Sequence, residues 1–146
     1  MNFNACNLTG IGWQYVDLTG SSFISANLSS GSVASANLSN ADLSTANLSN
    51  TSLYTASLTN ANLSDAYFYL ANLTGADLTG ANLTSANLAD SYLYIVNFTG
   101  ANLTNADLNG ALVNSLNNWT NVTWSNTICP HGTNSSSYSP QTCVGH

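Results

Sequence analysis

From Phe3 to Val113 an apolar residue recurs at every fifth position, and all 23 of these positions are apolar. Sixteen are Leu, four are Phe (Phe3, Phe23, Phe68 and Phe98), and the rest are Trp13, Val33 and Val113. The residue two places before each of these centres is usually small, Ala in 14 of the 23 units. The residue one place before is Asn or Asp in 15 of them. The two residues after the centre are mostly Ser, Thr, Gly or Asn. The unit reads Ala-(Asn/Asp)-Leu-(Ser/Thr)-x.

A period of five matches neither the 3.6 of a helix nor the 2 of a strand. On a helix it would spread Leu around the whole circumference. Ser, Thr and Asn also compete for backbone hydrogen bonds inside helices. A solenoid accounts for the period: each unit makes one side of a coil, with the centre and the small residue inward and the other three positions outward. Stacked coils pair backbone to backbone at about 4.8 Å.

This pattern resembles the pentapeptide-repeat family, over about residues 1–115. The resemblance implies an all-β fold, a right-handed quadrilateral β-helix with four units per coil. It implies five to six coils, a stack about 27 Å tall, and a small C-terminal cap. Residues 20 apart would stack, with Phe3 beneath Phe23. Residues 1–115 are expected to form the solenoid and 116–146 the cap. In that tail, Trp119, Trp124 and the run from Ser125 to Asn134 resemble the end of some secreted bacterial members. Those have a Cys-Pro-Asp-Gly-Thr turn and a closing Cys; His131 takes the Asp place here. The two Trp are expected to cover the last coil.

Charge changes the functional picture. The chain of 146 residues has no Lys or Arg, six acidic residues and a formal charge of −6. All six acids are Asp. Without cations there is nothing to neutralise phosphates, so no nucleic-acid partner is expected, nor an anionic membrane. No apolar run reaches the roughly 20 residues of a membrane span, so membrane insertion is not expected. The chain's first residues do not read as a secretory signal. An extracellular or cell-surface location is expected, with the targeting segment outside this sequence.

Few residues suggest chemistry. No catalytic, cofactor-binding or metal-binding residues are assigned. Cys6 replaces Ala at an inward position and is expected to be a buried free thiol. Cys129 and Cys143 flank a loop rich in Ser, Gly and Pro. A disulfide there would staple a segment without its own core and imply an oxidising compartment. The rival is a zinc site using Cys129, His131, Cys143 and His146, although Cys-x-His departs from the usual ligand spacing. Tyr54, Tyr67, Tyr69, Tyr92 and Tyr94 take outward positions otherwise held by small polar residues, and such patches mark contact surfaces. Phe3 in the open first coil, with Trp119 and Trp124 at the other end, completes the candidate interface. The repeat spells most Asn-x-Ser/Thr sequons automatically. Asn118, Asn121 and Asn134 escape that objection and are the expected glycan sites.

The leading expectation is a non-enzymatic extracellular β-solenoid that self-associates head to tail into a filament, since such contacts stay open when the rotation does not close. The alternative is a monomeric or dimeric binding or adhesion scaffold using the tyrosine surface. A third reading comes only from the resemblance, because some members mimic DNA and bind type II topoisomerases. Six Asp make a sparse acidic surface for that role.

Overall fold

The computed structural model describes residues 1–135 and residue 143. Its backbone winds as a square coil in which each unit pairs in parallel with the unit 20 residues later, from Asn2↔Ser22 to Tyr92↔Leu112. Four faces result. The first runs upward through centres Phe3, Phe23 and Leu43, the second through Leu8, Leu28 and Leu48. The third runs through Trp13, Val33 and Leu53, the fourth through Leu18, Leu38 and Leu58. Between coils, the N–H of each centre donates upward, as from Phe3 to the Ser22 carbonyl at 2.7 Å, and the next coil donates downward, as from Ser22 to Met1 at 2.8 Å.

The unit's composition follows from its corner. The N–H after each corner reaches back to the preceding centre, as Cys6 does to Phe3 at 3.1 Å, closing a β-turn. The third residue of that turn has φ near +57°, as at Asn40, Asn60 and Asp65. Gly, Asn, Asp and Ser therefore predominate there, as in a type II turn. The Asn or Asp before the centre is a turn cap: its Oδ1 accepts the N–H two residues on, as Asn72 does from Thr74 at 3.0 Å. Where Thr follows, its hydroxyl adds a second bond, as from Thr84 to Asn82 at 2.6 Å.

Inside, Leu and Phe centres and the Ala columns are almost wholly buried from Leu18 to Leu108. The third-face inner column begins Ile11, Gly31. A Cβ on Gly31 would stand 2.9 Å from the Leu28 carbonyl and 3.2 Å from an Ile11 methyl, so glycine makes room for the bulkier residue beneath. At the first coil, Phe3 stacks under Phe23 with centroids 4.9 Å apart and leans on Trp13 at 5.0 Å. Cys6 is not buried: its thiol is free and exposed. Inward positions are covered by the coil on either side, and Cys6 belongs to the lowest coil.

The ladder does not stop at residue 115. It slips by one residue within 111–116 and then continues as Asn97↔Asn118, Asn102↔Thr123 and Asp107↔Ile128. Trp119, Trp124 and Cys129 are thus centres of further units on the fourth, first and second faces, five residues apart like those below. The positive φ values at Asn121 and Asn126 mark their corners. The two Trp extend the core rather than lie across it as a lid. Trp119 stacks on Phe98 at 4.4 Å and leans on Trp124 at 5.2 Å. Beyond Cys129 the chain turns at Gly132 and returns antiparallel, pairing Ile128 with Asn134. Cys129 N–H donates to the Thr133 carbonyl, and Ser135 N–H to Thr127.

Candidate interaction face

Sorted by face, the repeat is uneven. The Asn/Asp cap before the centre is present in five of six units on the first face and five of six on the second. It is present in four of the five in-frame units on the fourth. On the third face the same column reads Gly12, Ser32, Ser52, Asn72, Tyr92 and Leu112, with Asn72 its single cap. All six Asp stand on the other three faces: Asp42 and Asp65 on the first, Asp90 and Asp107 on the second, Asp17 and Asp77 on the fourth. The third face is therefore the uncharged one.

It is also the one richest in large apolar side chains. Tyr15, Tyr54, Tyr92, Ile95 and Leu112 are all exposed there, and Leu116 protrudes from the slipped segment at 66% exposure. Tyr94 is half-buried, in the same column as Tyr54 two coils below. Tyr92 pairs directly beneath Leu112, which makes the upper part of the face one continuous patch. Ile95 and Tyr15 hold φ of 60° and 62°, where a large side chain, and above all a β-branched one, is strained by about 1 kcal/mol or more.

The other candidate residues lie elsewhere. Tyr67 and Tyr69 are exposed on the second face, one unit before the third. Leu70, at φ 57°, occupies the corner between the two faces. Phe3 is at the lower end of the stack; at the upper end Trp124 belongs to the core and Trp119 is partly buried against it. Sequence reasoning passed over Tyr15, Ile95, Leu112 and Leu116. Grouping residues by remainders of 20 instead of five would have found Tyr15, Ile95 and Leu112; the one-residue slip hides Leu116 from it.

Cys129 and Cys143 are joined in a disulfide with Cα atoms 5.3 Å apart. That bond takes both thiols away from any zinc ion. Among the described residues no group of three or more His, Cys, Asp or Glu could hold a metal; His146 lies outside the described residues. His131 Nε2 is 2.8 Å from the Thr133 hydroxyl. Asn118 caps its own turn, accepting from Thr120 N–H at 3.0 Å and from its hydroxyl at 2.7 Å. Asn121 is an exposed corner residue, and Asn134 donates to Asn126 at 2.7 Å. All three sequons are at the upper end, off the third face. Among the described residues no helix is long and apolar enough to cross a membrane.

A pentapeptide-repeat profile matches residues 2–31, 36–75 and 71–112 in eight copies. The chain belongs to the pentapeptide-repeat family. No curated protein sequence matches it. Several solved pentapeptide-repeat structures are similar to it. HetL, involved in heterocyst differentiation regulation in the cyanobacterium Nostoc sp. strain PCC 7120, is 23% identical, with 91% of this chain and 74% of HetL aligned at a TM-score of 0.40. Rfr23 from the cyanobacterium Cyanothece 51142 is 31% identical over 81% of this chain and 90% of its own, at a TM-score of 0.36. QnrB1, a plasmid-mediated fluoroquinolone resistance protein, is 21% identical over 86% of this chain and 71% of its own, at a TM-score of 0.49. The quadrilateral β-helix itself is seen in the 20-residue ladder of this chain, and the family in the repeat profile.

Proposed function

We propose that this pentapeptide-repeat protein is a non-enzymatic interaction scaffold whose third face is its contact surface. One observation carries the reading: the first, second and fourth faces keep most of the polar turn caps and all the acids, and the third face gives up every acid and every cap but Asn72, gaining tyrosine and aliphatic side chains. Apolar residues on that face are held against local backbone preference at Ile95 and Tyr15, which fits retention for contact. The Cys129–Cys143 bond suits an oxidising, extracellular setting. The test is a photo-crosslinking amino acid placed at Tyr94, and separately at Tyr67, in cells that express the protein. Adducts from position 94 with few from 67 support the reading. An absence of adducts at 94 sinks it.

End-to-end stacking keeps one observation in its favour. The lower side of residues 1–20 carries the N–H and C=O groups that every higher coil gives to the coil beneath it, and a further coil, of this chain or of a second copy, would pair there. The upper end does not match it on all faces, because the hairpin through Thr133 occupies the second-face edge. Filaments in negative-stain electron microscopy would favour stacking; uniform small particles would remove it. Duplex mimicry has less support. A DNA segment as tall as this stack, about 30 Å, carries about 18 phosphates, against six Asp spread over three faces.

A further inference from the structure

We propose that the partner of the third face is a second copy of this chain, packed face to face with its coil axis reversed. The inference rests on the scaffold reading above and adds the occupant and the register. Charge selects the face. In a chain of net charge −6 with no Lys or Arg, two copies repel wherever acids meet, and the third face carries none; its nearest acid, Asp90 at the corner with the second face, comes opposite Ser30 in the register below.

Shape selects the register. Two like faces can meet about a two-fold axis lying between them, either along the coil axis or across it. An axis along the stack sets each coil against itself, tyrosine against tyrosine. An axis across it, midway between coils three and four, sets coil five on two, three on four and six on one. It also keeps every column facing the same column. Tyr94 then meets Ala34, and Tyr92 meets Ser32. Tyr54 meets Thr74, and Leu112 meets Gly12. Tyr54, Tyr92, Tyr94 and Leu112 each fall on a small residue, and Ile95 falls on Ser35; Tyr15, at the corner of coil one, faces the slipped segment of coil six. Tyr54 and Tyr94 stand about 10 Å apart, two strand spacings, which leaves room between them for the other copy's Tyr54, so the two faces interdigitate as an isologous pair.

The test uses the full purified chain in sedimentation velocity over a concentration series. The wild type is expected to pass from monomer to dimer. Tyr94→Asp and Ala34→Arg, made singly, each weaken the dimer about tenfold or more, and Tyr67→Asp on the second face leaves it unchanged. Both sites are outward, and circular dichroism checks that each variant is folded. Combining Tyr94→Asp with Ala34→Arg in one chain restores the dimer, because the reversed register places each Asp against the other copy's Arg. A wild type that stays monomeric to about 1 mM overturns the proposal. So does a dimer that survives both single changes, and single losses without rescue overturn the register. A monomer in solution together with heterologous adducts at position 94 in cells leaves the scaffold standing without its second copy.

Discussion

Trp119 lies flat on Phe98, with ring planes 6° from parallel, although 21 residues separate them where 20 separate Phe3 from Phe23 below. The stack thus absorbs an extra residue on the third face and recovers its core within one unit. Two Asn side chains repair the seam. Asn114 Oδ1 takes the N–H of Ile95 at 3.2 Å, and Asn117 Oδ1 takes that of Val96 at 3.1 Å. In regular units those donors reach backbone carbonyls, as Thr55 does to Thr74 and Ala101 to Phe98.

Asn117 is the more exacting of the two. Its Nδ2 is buried without a partner among the described residues, a cost borne by the native fold. Asn117→Ala relieves that donor and orphans the Val96 N–H. The second effect is the larger, since Oδ1 alone serves that amide. A net loss of about 1–2 kcal/mol is expected, seen as a fall of about 3–6 °C in the thermal midpoint. An unchanged midpoint would mean that the seam does not depend on this bond.

The lower part of the fold was legible because one rule, repeated 23 times, set the core, the corner and the coil. Phe3 beneath Phe23 follows directly from it. The upper part was harder, since a single inserted residue shifts every later position. Read in a frame moved by one, Asn118-Trp119-Thr120-Asn121 and Thr123-Trp124-Ser125-Asn126 continue the unit. The third face was missed for another reason. A period of five averages the four faces together, and only the 20-residue repeat separates Tyr92 and Leu112 from the Asn and Asp that hold the equivalent place elsewhere. Cys6 was misjudged because an inward position is buried only when a coil lies on both sides.

The disulfide holds the last half coil. Cys129 is fully buried above Leu108 and tied to Cys143, 14 residues on. Closing a loop of that size stabilises by about 3 kcal/mol in the chain-entropy account. Reduction is expected to act locally first. In hydrogen exchange, the amides of Cys129 and Ser135 should lose protection on adding reductant, and those of Leu48 and Leu53 in the middle coils should not. Equal loss throughout would mean that the end coil and the rest unfold as one unit.

Ile95 should show stability and association pulling apart. Its φ of 60° suits Asn, which fills the same corner at Asn40, Asn50, Asn60 and Asn105. Ile95→Asn is expected to raise stability by about 0.5–1 kcal/mol in chemical denaturation and to weaken the third-face dimer. The reverse change at an equivalent exposed corner, Asn105→Ile, should destabilise by a similar amount. If Ile95→Asn lowers stability, the side chain is packed usefully on its own coil and its strain argument fails.

Asp17 gives a pH test of the turn cap itself. Its Oδ1 accepts from the Thr19 hydroxyl at 2.6 Å and from the Thr19 N–H at 3.0 Å. The hydroxyl bond first, and the backbone bond second, hold its carboxyl below the ordinary carboxylate value. A group whose folded pKa is depressed stabilises the fold above its unfolded pKa, and loses that contribution as pH falls through the folded one. Asp17 should therefore help at neutral pH and stop helping in the acid range. Asp17→Asn keeps the acceptor, as Asn7 and Asn37 do in the same role, but cannot titrate. Thermal midpoints from neutral pH to about pH 2 should fall less steeply for the variant, the two proteins converging at the acid end as the native carboxylate is protonated. Parallel curves would show that the exposed carboxylate draws nothing from its Thr19 bonds, and that the Asn/Asp column is kept for its shape rather than for its charge.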